Sequence, residues 1–356
     1  MKTIFLESHH IKNLTFGLGQ FNFHLIKGLL EAENNDFEFV LHVQDAETLK
    51  KKLGHSFRHK KYYSLRRYPT FRIRSRYDLW HSLNQNTKIE PRRADMPYLL
   101  TVHNIPLVQD PQNYKHLKTH QFFQDKLNRS SAITYISNFA KESTHEFYDV
   151  PNVPQYVIYN GNPISEVSIP ENFKPTHMPG RPFLFSIGEI TGRKNFISIA
   201  KMMAFLPEYD LIIAGKNNTK DAEEIATFAK TLPPNIKVAL PGKISETEKQ
   251  YYYANCAAFL FPSLREGFGL PVIEAMRFGK PVICSDQTSL PEIGGDLASY
   301  WSHFDPEYMA HTVRTSIQSY ENDRDNLSEK LIARGKQFNW DNTAQEFLNV
   351  YRDLLF

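Results

Sequence analysis

Residues 261–276 read FPSLREGFGLPVIEAM. An apolar strand ends at Pro262, a loop carrying Gly267 and Gly269 follows, and Pro271 stands where the first helical position is expected, because its fixed φ suits a helix start. Glycines in such a loop let backbone N–H groups approach a ligand closely, and the following helix turns its positive end to the same place. A diphosphate is the guest that suits this arrangement. Two carboxylates flank it, Glu266 in the loop and Glu274 in the helix. Like charges repel, so both are better placed to accept hydrogen bonds from neutral hydroxyls, one toward a sugar ring and one toward a ribose. The plainer alternative makes Glu274 a complement to the helix dipole and Glu266 a solvated loop residue.

The same strand–loop–helix pattern repeats along the chain, which is the signature of parallel sheets covered on both faces. In the first half, strands are predicted at Thr3–Leu6, Phe37–Val43, Asp78–Leu83, Tyr98–His103, Ala132–Ile136 and Tyr156–Tyr159. In the second they are predicted at Phe183–Ile187, Leu211–Ala214, Ile236–Leu240, Ala257–Phe261 and Pro281–Cys284. Between the halves, Pro163, Pro170, Pro175, Pro179 and Pro182 crowd a stretch that suits neither helix nor strand. Trp340, Ala344, Phe347, Leu348, Tyr351 and Leu355 fall close to helical spacing, so the chain is expected to end in an amphipathic helix. The expected organisation is therefore a Rossmann-like domain over 1–162, a linker over 163–182, a second Rossmann-like domain over 183–338, and a helix over 339–356 packing back on the first. In doubly wound sheets ligands lie outside the carboxyl ends of the strands, which directs attention to the loops after each strand.

Length agrees with two domains, since 356 residues exceed one ordinary core at about 150 residues per domain. With 41% hydrophobic and 23% charged residues, the composition excludes a disordered or fibrous chain. Cys256 and Cys284 sit in apolar strand-like runs and read as small buried hydrophobes in a reducing compartment. Met1 to Ser8 reads as a first strand, and no run approaches the roughly 18 apolar residues of a membrane span. The expectation is a cytoplasmic protein that reaches the inner face of the membrane at most peripherally.

Net charge is only +3, yet it is unevenly placed. Lys50, Lys51, Lys52, Arg58, Lys60, Lys61, Arg66, Arg67, Arg72, Arg74 and Arg76 fall in one stretch without an Asp or Glu, interleaved with Phe57, Tyr62, Tyr63, Leu65, Tyr68 and Phe71. Such a block suits contact with anionic lipid headgroups at about 1 kcal/mol per basic residue, an acceptor-binding lip, or a solvated loop. No helix-turn-helix, RNP or zinc pattern supports nucleic-acid binding.

The run SLREGFGLPVIEAMRFGKPVICSD, followed by SLPEIGGD at Ser289 to Asp296, resembles the signature of family 4 of the retaining GT-B glycosyltransferases, with its glutamates separated by seven residues. The resemblance implies an α/β fold of GT-B type, two Rossmann-like doubly wound parallel-sheet domains facing a central cleft. It also implies that Glu266 contacts the transferred sugar, that the backbone of Phe268, Gly269 and Leu270 holds sugar hydroxyls and phosphate, and that Glu274 binds the ribose. IGEITGRKN, Ile187 to Asn195, resembles the family's turn at Gly188 with a basic pair, here Arg193 and Lys194, that clamps the departing diphosphate. Many members carry an arginine directly after that glycine, where this chain has Glu189.

In the first half, FGLGQF, with Gly17 and Gly19, resembles the family's glycine loop bordering donor phosphate and acceptor. It lacks the third glycine of a dinucleotide fingerprint, so NAD is not indicated. TVHN at Thr101 to Asn104 matches the family's histidine at a strand end, which implies that His103 contacts the donor sugar near the reacting carbon; the usual next residue is Asp, and here it is Asn104. Ser137 resembles a further position near the cleft.

The aspartate pair of metal-dependent transferases has no counterpart beyond Asp323 and Asp325 in a polar helical stretch, and no His and Cys cluster has metal-ligand spacing. The expected activity is metal-independent, retaining transfer of a hexose, mannose before others, from a nucleotide diphosphate sugar to a glycan or lipid-linked acceptor in cell-surface polysaccharide synthesis. No cofactor is expected. The RKN turn favours a guanosine-linked donor over uridine- or thymidine-linked ones. The rivals are a nucleotide-sugar epimerase, hydrolase or phosphorylase on the same fold, and a non-catalytic subunit.

Overall fold

The structure is a computed structural model that describes residues 1–14, 16–105 and 117–356. The chain divides into two compact units, Met1–Pro163 with Asn339–Phe356, and Ile164–Phe338.

The first unit is built on seven strands: β1 Lys2–Glu7, β2 Phe37–Val43, β3 Arg58–Lys61, β4 Leu79–Ser82, β5 Tyr98–Val102, β6 Ala132–Tyr135 and β7 Gln155–Val157. They lie in the order β3-β2-β1-β4-β5-β6-β7, every pairing parallel, with Ile4 beside Phe39 on one side and Leu79 on the other. Helices cover both faces, so the central strands are buried on both sides and their apolar runs are unbroken rather than alternating. Phe5 stacks on Trp80 with ring centroids 4.1 Å apart. The last helix, Trp340–Leu355, lies on this unit. Its Tyr351 hydroxyl meets His81 Nδ1 at 2.8 Å, and Ala344 packs so close to the helix Gly17–Glu31 that a Cβ on Gly28 would stand 2.8 Å from the Ala344 Cβ.

The second unit holds β8 Phe183–Ile187, β9 Asp210–Ala214, β10 Val238–Gly242, β11 Ala258–Phe261, β12 Val282–Ser285 and β13 Ser299–Trp301. The order β10-β9-β8-β11-β12-β13 is again wholly parallel. One side of its core gathers Leu184, Ile199, Leu211, Ile213, Leu260, Ile283, Trp301, Met309 and Val313. Residues 164–182 form neither helix nor strand and are strapped to this unit: Ser168 N–H donates to Gln250 Oε1 at 2.8 Å, and Thr176 N–H to Glu248 Oε1 at 2.9 Å.

Two strands escape the periodicity reading. β3, sequence RHKK, lies inside the basic block, where a loop was one expectation; as an edge strand it has no second neighbour to bury it, and four cationic or imidazole side chains discourage pairing with another chain. β13 is three residues at the opposite kind of edge, too short to show a period. Cys284 lies in β12, but Cys256 caps the helix Glu246–Asn255 just before β11 instead of lying in a strand. Both thiols are free and buried, and burial pushes Cys256 up to about 12.

Candidate functional site

In each unit the first strand is flanked by two strands reached by opposite windings, β2 and β4 around β1, β9 and β11 around β8, so the loops leaving these strands open at the topological switch point. In the second unit those loops are residues 188–195 after β8 and 262–269 after β11. They are tied together: Leu264 N–H donates to Arg193 O at 2.9 Å, and Ser285 Oγ, at the end of β12, holds Ser263 O at 2.5 Å.

Arg193 and Lys194 close a single 3₁₀ turn, Gly192–Lys194, and Asn195, with φ of 52°, reverses the backbone into the helix Phe196–Met202. Gly188 backs this turn, where a Cβ would lie 3.4 Å from Lys194 Cε. The Lys194 ammonium is buried, 4.6 Å from the centroid of the Phe261 ring and 2.5 Å from Glu266 Oε1. Arg193, half exposed, donates from Nη1 to the same carboxylate oxygen at 3.2 Å and to Arg265 O. Ser263 Oγ donates to Oε1 at 2.6 Å. Burial by itself would raise the Glu266 carboxyl, but Lys194 and then Arg193 outweigh it and hold it below its ordinary value.

The loop itself is positioned by Thr288 and the SLPEIGG segment that follows it. Thr288 Oγ1 accepts from Glu266 N–H at 3.0 Å, and Ser289 Oγ donates to Glu266 O at 3.1 Å and Phe268 O at 2.9 Å. Gly269 has φ of 109°, and a Cβ there would meet Leu290 Cδ2 at 2.7 Å, so the tight reversal before the helix Leu270–Met276 requires glycine. The helix starts one residue earlier than expected, with Leu270 first and Pro271 second. Phe268 is buried edge-on against Phe338.

Glu274 does not join Glu266. Its Oε2 accepts from the Tyr253 hydroxyl at 2.8 Å and its Oε1 lies 3.3 Å from Lys249 Nζ, both from the helix Glu246–Asn255. Burial disfavours the Lys249 charge, yet Glu274 and Glu246 outweigh it and raise its pKa; burial and the neighbouring Glu274 push Tyr253 far above its ordinary range. Lys249, Tyr253, Thr288 and Ser289 were not singled out by sequence reasoning. SLPEIGG carried a signal for Ser289, and none pointed to the other three. Glu189 pairs with Lys216 at 2.7 Å, so a cation stands beside the position where other members carry arginine.

In the first unit His103 follows β5 and is buried. Its backbone N–H donates to Gln85 Oε1 at 3.0 Å, and the ring Nε2 lies 2.8 Å from Leu83 O. Burial lowers its pKa to about 4, so the ring is neutral at pH 7. A carbonyl only accepts; the proton therefore sits on Nε2, and Nδ1 keeps its lone pair for a donor. Gly19 is needed, because a Cβ there would fall 2.0 Å from Asn13 O, whereas a Cβ on Gly17 would meet nothing within 4 Å. Ser137 caps the helix Asn138–Phe147, its side chain accepting from Ala140 N–H at 3.0 Å. Asp323 and Asp325 sit exposed at the junction of the helices Pro306–Asn322 and Arg324–Gln337.

The profile of the family described as glycosyl transferases group 1 matches residues 168–338, the whole stretch that carries the two tied loops and both glutamates. Within the second unit the chain is similar to the group 1 glycosyl transferases. O-antigen chain mannosyltransferase B of Escherichia coli is 30% identical over 171 residues, 47% of this chain and 44% of that protein. The serotype-specific mannosyltransferase WbdA of Escherichia coli is 26% identical over 269 residues, 70% of this chain and 32% of that protein. The chain thus spans less than half the length of these two relatives. Among solved structures, Anabaena HepE in complex with UDP and glucose superposes with a TM-score of 0.72 at 16% identity, covering 99% of this chain and all of that one. The two parallel-sheet Rossmann-like units are of the GT-B type. In the second unit, Arg193, Lys194 and Glu266 form one network at the switch point, while Glu274 forms a second with Lys249 and Tyr253.

Proposed function

We propose that the chain is a retaining, metal-independent glycosyltransferase that moves a hexose from a nucleoside diphosphate to a glycan or lipid-linked acceptor in polysaccharide synthesis. The observation that carries the reading is the meeting of Arg193, Lys194 and Glu266 at the switch point of a unit similar to the group 1 family. Both cations stabilise the negative charge that develops on the leaving diphosphate, from positions already fixed before reaction. All three side-chain partners of Glu266 meet at Oε1, which leaves Oε2 to accept from a sugar hydroxyl. Glu274, its plane held by Lys249 and Tyr253, accepts from the ribose, and His103 offers Nδ1 to a hydroxyl of the donor sugar. The glycine segment at Gly17 and Gly19 borders donor phosphate and acceptor. Retention follows if the acceptor attacks from the leaving-group side and a phosphate oxygen takes its proton. Mannose is favoured by the mannosyltransferase relatives and a guanosine diphosphate donor by the RKN turn; the UDP bound by HepE makes uridine the second choice. We place the protein in the cytoplasm, in peripheral contact with the inner face of the membrane through Lys50 to Arg76.

Thermal unfolding with GDP, UDP and dTDP in the presence of EDTA tests the donor reading. A ligand confined to the folded state at about 100 times its Kd stabilises by about 2.7 kcal/mol, an easily read rise in midpoint. The expected result is stabilisation by at least one diphosphate without metal. Stabilisation that appears only with Mg²⁺ or Mn²⁺ would overturn metal independence, and none at all would overturn the donor site. Product analysis separates the rivals: an epimerase isomerises the donor alone, and a hydrolase needs no acceptor.

A further inference from the structure

The basic block folds into a surface of unusual chemistry. After β3, residues 64–67 and 69–71 make two successive 3₁₀ turns. Four large side chains on and beside them stay open to solvent: Tyr63 is 50% exposed, Leu65 52%, Tyr68 48% and Phe71 55%. A soluble surface has no use for four such groups within nine residues, since each leaves apolar area in water. Around them the cations lie over rings instead of meeting carboxylates. Lys61 Nζ is 5.7 Å and the Arg66 guanidinium 5.5 Å from the Tyr63 centroid, and the Arg67 guanidinium is 5.1 Å from that of Tyr68. Ion pairs exist only at the start of the block, Lys50 with Glu47 and Arg58 with Glu38; from Lys60 to Arg76 no carboxylate lies within pairing distance among the described residues. Arg66 Nη1 and Arg72 Nε are buried without a hydrogen-bond partner among the described residues, so these two nitrogens do not themselves face the surface.

Exposed aromatic and aliphatic side chains set among unpaired cations match the headgroup layer of an anionic bilayer, where rings sit at the interface and cations meet lipid phosphates. A purely electrostatic partner explains the charge but leaves Leu65 and Phe71 without a role. We propose that the two 3₁₀ turns insert Leu65, Tyr68 and Phe71 into the headgroup region of an anionic membrane while Lys60, Lys61, Arg67, Arg74 and Arg76 hold its phosphates. The proposal deepens the peripheral contact read above and is independent of the donor chemistry.

Vesicles of phosphatidylcholine alone and of phosphatidylcholine with phosphatidylglycerol test it on the full chain. Wild type is expected to bind only the second kind. Leu65→Ser with Phe71→Ser, and separately Lys61→Gln with Arg67→Gln, should each weaken binding about tenfold or more; all four sites are exposed, so folding is spared. Because Trp80, Trp301 and Trp340 are buried, Phe71→Trp adds the one exposed indole among the described residues, and brominated lipid should quench it. Absence of wild-type binding to phosphatidylglycerol vesicles would overturn the membrane contact altogether. Unchanged binding by the serine variant with an unquenched Trp would overturn insertion and leave electrostatic adhesion. Tight binding to soluble dextran sulfate by wild type and serine variant alike, without vesicle binding, would reassign the surface to an anionic polymer.

Discussion

Lys194→Met is expected to lower turnover of a nucleoside diphosphate sugar by about 100- to 1,000-fold, the scale lost when one fixed stabiliser of developing negative charge is removed. The same change should destabilise the folded chain by about 3–5 kcal/mol, because Glu266 would be left as a buried carboxylate short of its principal partner. The half-exposed Arg193 and the buried Ser263 remain near Oε1 but do not replace the cation that is buried beside it. The pH dependence has a definite sign. The Glu266 carboxyl is held below its ordinary value of 4.5 in the folded protein, so its stabilising contribution is complete above that value and drains away as pH falls through the folded one. Denaturant unfolding should therefore show a gap between wild type and Lys194→Met at neutral pH that narrows in acid, as pH falls below the ordinary carboxyl value toward the lowered one of folded Glu266. Adding Glu266→Leu should restore much of the lost stability, because a buried pair replaced by apolar groups is often neutral, while turnover stays low. A stable single variant, or a gap indifferent to acid, would show that the pair is solvated and does not anchor the loop.

How much of this was legible depends on what kind of interaction each feature reports. β2 and β8 are read to the residue because strands buried on both faces are predominantly apolar, as FEFVLHV and FLFSI are apart from Glu38, His42 and Ser186. β3 is illegible by the same logic: at an edge nothing demands apolar residues, and RHKK looks like loop. Arg193, Lys194 and Glu266 are visible as candidates one at a time, from residue type and position at strand ends. That they share one carboxylate oxygen is not, because the contact spans 72 and 73 residues of chain and depends on β8 and β11 being neighbours. Tyr253 is harder still. In the run QYYYAN a buried tyrosine reads as core, and only the distance from its hydroxyl to Glu274 reveals a polar duty. His103 shows the reverse case, where its placement is legible but its tautomer follows from Leu83 O alone.

The two glutamates occupy different networks, and separate losses are expected from them. Glu274→Gln should weaken a nucleoside diphosphate that carries no sugar, since its proposed partner is the ribose, while Glu266→Gln should leave that ligand nearly untouched and lower turnover with the intact donor. A carboxylate accepting from a hydroxyl is a charge-assisted partner worth roughly 1.5–3 kcal/mol, so about 10- to 150-fold in the affected constant is expected. The packing around Glu274 calls for a control that the residue types alone do not reveal. Glu274 also faces Lys249 at 3.3 Å and Tyr253 at 2.8 Å, so its glutamine variant loses some stability and must be titrated well below its own unfolding midpoint. Tyr253→Phe keeps the carboxylate but frees Oε2 from its hydroxyl, and should weaken the sugarless diphosphate by less than Glu274→Gln does. Calorimetric titration of the diphosphate, paired with initial rates on the full donor, reads both halves of the expectation together. Matching losses of diphosphate affinity in the two glutamine variants would show that sugar and ribose are not divided between Glu266 and Glu274, and no effect from either would move the donor away from the loop after β11.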